Sequence, residues 1–201
     1  MFDTRLRGWI DPPLTAAGRL LARVHIGADV VTLTGFVCGM TGALAIVFNE
    51  MWAALALILL GRLLDGLDGA IARATQPTDR GGFLDIALDF IFYGSVPLAF
   101  AMLDPYRNAL PAAGLIASFY ANGAVFLAFA IMAQKRGLET QLQGTKSLYF
   151  MAGLAEGAET IAVFAVFCLY PAGFPWVAGA FALVCYTSAA ARLVLAWRAL
   201  A

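Results

Sequence analysis

The sequence predicts an all-α polytopic membrane protein, with six transmembrane helices preceded by an amphipathic helix on the membrane surface. Of its 201 residues, 62% are hydrophobic and only 13% charged. Uncharged runs cover residues 30–48, 108–134 and 171–191, each long enough as a helix to cross about 30 Å of hydrocarbon. Basic residues also alternate in placement. Arg5, Arg7, Arg19, Arg23, Arg73, Arg80, Lys135, Arg136, Lys146, Arg192 and Arg198 fall at one side of such a topology, and only Arg107 falls at the other. By the positive-inside rule, both termini are expected to face the cytoplasm.

Residues 1–27 form the juxtamembrane part. Leu14, Ala17, Leu21 and Val24 recur at helical spacing with Arg19 and Arg23 beside them, which predicts an interfacial helix. A cleaved secretory signal is not expected, because Asp11, Pro12 and Pro13 break the stretch before any sufficient apolar run. The six-helix bundle, 28–201, completes a single domain. Its less uniform spans are 51–72, 83–103 and 147–170, bounded by polar or proline-containing loops. Gly35 and Gly39, and again Gly153 and Gly157, have the spacing that lets helix backbones approach closely in lipid. Cys38, Cys168 and Cys185 lie far apart inside apolar spans and read as buried thiols. His25 is assigned no role, and nothing points to nucleic acid.

The stretch LLDGLDGAIARATQPTDRGGFLDIALDF, residues 63–90, is the exception to this oily composition. Asp65 and Asp68 lie three residues apart near the end of the second span, and Asp85 and Asp89 four apart at the start of the third, so each pair shares a helix face. The polar connector 74–80 closes the hairpin and brings those faces together. A hydrated acidic loop would not need two helically phased pairs.

Four anions in a partly dehydrated cleft repel one another unless cations sit among them. An all-carboxylate set without Cys or His suits Mg²⁺, for which Mn²⁺ can substitute, and such ions take phosphate oxygens as further ligands. Two ions about 3.5 to 4 Å apart could clamp a pyrophosphate. Gly66, Gly69, Ala70 and Ala72 leave room for a phosphate to approach the backbone, and Arg73 adds a cation. The pattern reads as a nucleotide-diphosphate site.

The residues Asp65-x2-Asp68-Gly69-x2-Ala72-Arg73, followed by Gly81-x3-Asp85-x3-Asp89, closely resemble the signature of the CDP-alcohol phosphatidyltransferase family, with every fixed position filled. The resemblance implies a six-helix membrane enzyme, usually a homodimer, that cleaves a CDP-linked alcohol and transfers a phosphoalcohol group with release of CMP. By position it implies Asp65, Asp68, Asp85 and Asp89 as ligands of a two-metal site, Asp89 also as general base, and Asp68, Gly69, Ala72, Arg73 and Gly81 as parts of the CDP pocket. Many members open the first span with Pro-Asn before a Thr; here Ala28-Asp29 precedes Val30, Val31 and Thr32. Asp29 and Thr32 are therefore taken as nucleotide-side residues, with Asp29 able to hydrogen-bond the nucleotide or a metal-bound water.

The donor expected from the resemblance is CDP-diacylglycerol, its acyl chains remaining among membrane lipids, and the acceptor a small hydroxyl compound. A soluble CDP-alcohol donor with a lipid acceptor would need the same carboxylates. Lys135, Arg136, Lys146 and Arg192 are candidates for an acceptor pocket, although Lys135 and Arg136 also serve the positive-inside bias. Glu156 and Glu159 sit roughly 15 to 20 Å along the fifth span from Lys146 and share a face. Intramembrane acids are functional candidates. They could recognise a cationic acceptor, or pair with Arg62, which lies at a similar depth and could instead pair with Asp65. A transporter or proton relay could also carry such acids, but it would place them between structural repeats, and no repeat is visible. A purely structural membrane protein would have no activity for Asp85→Asn or Asp89→Asn to abolish.

Overall fold

The computed structural model describes residues 2–137 and 157–200, with side chains described from residue 12 onward. Among them there is no strand. Seven α-helices follow in order: α1 (Phe2–Arg23), α2 (Ala28–Val47), α3 (Met51–Ala74), α4 (Asp79–Leu103), α5 (Pro105–Lys135), α6 (Gly157–Leu169) and α7 (Phe174–Leu200), with a 3₁₀ turn, Pro171–Gly173, leading into α7. Of the expected fifth span, the described part is α6; Gly153 lies outside the described residues.

Four segments are long and apolar enough to cross a membrane: α2, α4, α5 and α7 with the turn before it. α3 has the length, at 24 residues, but carries Arg62 at its middle and Asp65, Asp68 and Arg73 beyond it. Large apolar side chains such as Val37, Leu44, Leu98 and Leu183 face outward, as hydrocarbon solvent allows and water would penalise. Exposed Trp52, Tyr106, Tyr170 and Trp176 sit at the turns joining α2 to α3, α4 to α5 and α6 to α7, where amphipathic rings suit a membrane–water boundary.

The packing explains how α3 can carry charge at all. α2 lies along α3 with backbone against backbone: a Cβ on Gly61 would stand 2.8 Å from the Gly35 carbonyl oxygen and 3.1 Å from the Gly39 nitrogen. The Gly35 and Gly39 spacing is thus used for close approach, as its sequence pattern predicts. α2 also packs on α4, α4 on α5, α5 on α7, and α6 leans on α3. At the end bearing the exposed aromatic rings, Phe100, Phe167 and Phe174 are fully buried, with the Phe100 and Phe174 rings stacked at 4.5 Å. Asn108 donates from Nδ2 to the Phe100 carbonyl at 2.8 Å, satisfying a polar side chain inside that core. Cys168 and Cys185 are buried free thiols, matching expectation, whereas Cys38 is only half-buried.

α1 departs from the sequence reading. It continues through Pro12 and Pro13, each of which removes an amide donor from the helix ladder. Its support comes from α3, where the buried Gly18 meets Ala70 and the Leu14 side chain reaches Gly66. Gly18, with half-buried Leu14 and Leu21, forms the inward face, while Ala17 and Val24 are exposed. A Cβ at Gly18 would fall 2.8 Å from the Ala70 Cβ, so only glycine permits the crossing.

Gly61→Ala is expected to force α2 and α3 apart and to cost about 1–3 kcal/mol. Gly179→Ala, which meets open space, should cost nothing. Thermal unfolding of the two purified variants in one detergent checks the difference.

Candidate active site

The site forms where α3 ends and α4 begins. α3 closes on Thr75, whose amide bonds the Ile71 and Ala72 carbonyls, and Thr78 caps α4 by accepting from the Gly81 amide at 3.1 Å. The short connector returns the chain at once. Asp65 and Asp68 on one helix therefore face Asp85 and Asp89 on the next.

Three of the four come into one group. One carboxylate oxygen from each of Asp65, Asp68 and Asp85 lies within 4.8 Å of the others. Asp68 is buried, and its Oδ2 is itself buried with no hydrogen-bond partner, an expensive arrangement unless a cation completes it. The donor set fits a hard divalent ion, since it is all carboxylate oxygen. Asp89 does not join this group; its Oδ1 accepts from Arg62 Nη1 at 2.8 Å.

Arg62 is the internal counter-charge. Its Nη2 donates to Asp65 Oδ1 at 2.9 Å, and Nη1 also approaches Tyr93 Oη at 3.4 Å. The guanidinium stands 5.1 Å from the Phe92 ring centroid and 5.8 Å from that of Tyr93, within cation–π range. Of the partners weighed from sequence, Asp65 is the one observed. No ion pair from Arg62 to Glu159 occurs among the described residues, and Glu156 lies outside them. The bond to Asp89, which spans 27 positions, had no signal in the sequence.

The expected nucleotide residues lie around the same end. Thr32 shares a narrow crevice with Gly35, Gly61, Arg62, Asp65, Asp85 and Asp89. The Arg73 side chain folds back so that its Nη1 would meet a Cβ on Gly69 at 3.2 Å. Asp29 pairs with Arg80 from the first turn of α4, and a Cβ on Gly81 would sit 3.5 Å from Asp29 Oδ1. The sequence counted Arg80 only toward topology. Ala72 is half-buried on α3, one residue from Arg73.

Beside the carboxylates is an open cavity of about 620 Å³, bordered by α4, α5, α6 and α7. Asp85 and Asp89 of α4 line it, as do Asn122 of α5, Thr160 of α6 and Arg192 of α7. Arg192 Nη1 donates to Asn122 Oδ1 at 3.2 Å, and its guanidinium stands 5.7 Å from the Phe126 centroid. Glu159 adjoins Thr160, with Oε2 buried and without a hydrogen-bond partner. Lys135 and Arg136 are exposed at the end of α5 and do not line this cavity. Lys146 lies outside the described residues.

The sequence profile of CDP-alcohol phosphatidyltransferases matches residues 25–198. The chain belongs to this family. A CDP-alcohol phosphatidyltransferase transfers a substituted phosphate from a CDP-alcohol and depends on a metal, which agrees with the acidic group at the α3–α4 junction. Inner membrane protein YnjF of Escherichia coli is 43% identical over 193 residues, covering 96% of this chain and 94% of that one. Archaetidylinositol phosphate synthase of Pyrococcus horikoshii is 26% identical over 84% of this chain and 83% of its own. The fold matches that of Mycobacterium tuberculosis phosphatidylinositol phosphate synthase, solved with CDP-DAG bound, with a TM-score of 0.66 and 21% identity over 92% of this chain and 93% of that one. A second structure of that enzyme, with manganese and citrate, aligns with the same TM-score at 23% identity and covers 88% of its chain.

Asp85→Ala in this phosphatidyltransferase removes one of three clustered oxygen donors. Mn²⁺ affinity is expected to fall by at least the 10- to 100-fold, roughly, that loss of a mere outer-shell partner costs. Isothermal titration of wild type and variant measures it.

Proposed function

We propose that the protein transfers a phosphatidyl group from CDP-diacylglycerol to a small hydroxyl acceptor at the cytoplasmic face of the inner membrane, releasing CMP in a Mg²⁺-dependent reaction. The observation that carries this reading is the Asp65, Asp68 and Asp85 group, with ligand oxygens within 4.8 Å, set beside Asp89 and open to a cavity large enough for an acceptor.

Asp65, Asp68 and Asp85 would hold the metal, which when bound neutralises pyrophosphate charge and stabilises the leaving CMP. Asp29, Thr32, Gly69, Ala72, Arg73 and Gly81 would receive the CDP moiety, with Arg73 supplying a positive group near Gly69. Asp89 takes the proton from the acceptor hydroxyl as that oxygen attacks phosphorus. Its place on the cavity wall supports the role. Arg192, with Asn122, would orient the acceptor, and it is the group that an acceptor phosphate would meet. Lys135, Arg136 and Lys146 would draw anionic substrates toward the membrane surface. Glu159 would lie on the acceptor side with Thr160, and acceptor recognition is proposed for Glu156 as well.

The same reading takes α3 and the span containing α6 as membrane-crossing, completing six, with residues 1–201 as one domain and α1 lying along the cytoplasmic interface. Arg19, Arg23, Arg73, Arg80, Lys135 and Arg136 at the helix ends on one side, against Arg107 on the other, support that orientation. Assembly as a homodimer rests on the family alone.

The experiment is CMP release by the purified protein with CDP-diacylglycerol and Mg²⁺, offering glycerol phosphate, inositol phosphate, serine, inositol and ethanolamine separately. Release with one acceptor is expected, lost with chelator and reduced about 10²- to 10⁴-fold in Asp89→Asn, the usual contribution of a general base. Silence with every acceptor, together with no binding of metal or nucleotide, would overturn the enzyme reading.

Arg192→Ala should raise KM for the productive acceptor about 10- to 100-fold, the range for losing a charge-assisted hydrogen bond. KM for the CDP donor should stay unchanged. Initial rates over both substrate concentrations separate the two effects.

A further inference from the structure

One face of α1 has no partner among the described residues. Gly18, with half-buried Leu14 and Leu21, turns toward α3. At about 100° per residue, the opposite face runs from Arg19 and Arg23 through Ala16 to Leu20 and Val24, all five exposed. Val24 continues the helix, its amide bonding the Leu20 carbonyl. Leu20 is 62% exposed and Val24 60%. The face is therefore divided lengthwise, with two guanidinium groups along one edge and apolar side chains along the other.

Each edge calls for a different environment. The apolar edge is costly in water and favourable in hydrocarbon. The basic edge lacks a counter-charge: no acidic residue occurs between Asp11 and Asp29, and among the described residues neither Arg19 nor Arg23 has a hydrogen bond or ion pair. A helix that sinks its apolar edge to the acyl boundary holds its arginines at headgroup depth, where they meet phosphate. A guanidinium presents paired N–H donors that match phosphate oxygens. In a zwitterionic headgroup a cation sits beside that phosphate, whereas an acidic headgroup leaves its charge unopposed.

We infer that this face of α1 is a binding surface for acidic phospholipid, with Arg19 and Arg23 on the headgroup phosphate and Leu20 and Val24 at the acyl boundary. The inference rests on the interfacial placement of α1 proposed above and adds the class of lipid it selects. Its consequence reaches the site, because α1 crosses α3 at Gly66 and Ala70. Acidic lipid held on the outer face keeps the inner face against the helix that carries Asp65 and Asp68.

The test is lipid-selective quenching. Leu20→Cys is made in a Cys38→Ala background, Cys168 and Cys185 being buried, and is labelled with bimane. The full chain is placed in phosphatidylcholine nanodiscs containing a minor fraction of acyl-brominated lipid, either phosphatidylglycerol or phosphatidylcholine. Leu98→Cys, outward on α4, is labelled in the same background and should be quenched equally by both, which shows the protein folded in the bilayer. At Leu20→Cys, brominated phosphatidylglycerol is expected to quench more strongly. Arg19→Gln and Arg23→Gln should each lower that preference about fivefold, the equivalent of about 1 kcal/mol per arginine near an acidic surface. Salt at about 1 M, where the screening length is about 3 Å, should weaken it, and millimolar inorganic phosphate should leave it unchanged. Equal quenching by the two lipids would overturn the inference, as would a preference that survives loss of both arginines or is displaced by inorganic phosphate. No quenching by either lipid at Leu20→Cys would overturn it together with the interfacial placement of α1.

Discussion

Four carboxylates cannot gather at the joined ends of two helices in a medium of low polarity without cations among them. The first of those cations belongs to the chain: Arg62 lies one turn before Asp65 on α3 and reaches across to Asp89 on α4. It neutralises one charge of four and leaves a formal excess of three. The buried, unpartnered Asp68 Oδ2 is where that excess is least tolerable in the protein alone. The same arrangement is what a metal-dependent transfer of phosphate requires, so the destabilising feature and the functional one coincide.

The rest of the architecture serves that junction. Gly35, Gly39 and Gly61 bring α2 against α3 at backbone distance, which sets Thr32 beside the acidic crevice and Asp29 within reach of Arg80. Larger residues would separate the helices and open the crevice. At the far end, the Phe100, Phe167 and Phe174 cluster ties α4, α6 and α7 together, so the helices are anchored at one end and functional at the other. α1 closes the arrangement by crossing α3 at Gly66 and Ala70, within the signature segment itself.

The cavity beside Asp85 and Asp89 gives the chemistry a direction. Its walls come from four helices, and its polar lining includes Asp85, Asp89, Asn122, Thr160 and Arg192. Arg192 and Asn122 line it together with Asp85 and Asp89, while Thr32 lies in the crevice toward α2.

Much of this was legible along the chain. Hydropathy, charge placement and the spacing of Asp65, Asp68, Asp85 and Asp89 are local properties, set within one or two helical turns, and they determined the helical membrane class, the acidic hairpin and the family. The close approach at Gly35 and Gly39 was legible for the same reason. Other features depended on how helices cross and rotate, which no short window records. The Arg62 to Asp89 bond spans 27 positions and the Arg80 to Asp29 pair 51; both exist only because α2, α3 and α4 converge at one end. The separation of Asp89 from the other three carboxylates, the passage of α1 through two prolines, and the cavity joining Asp85 to Arg192 were likewise decided by tertiary packing, because each depends on which side chain occupies the space facing it.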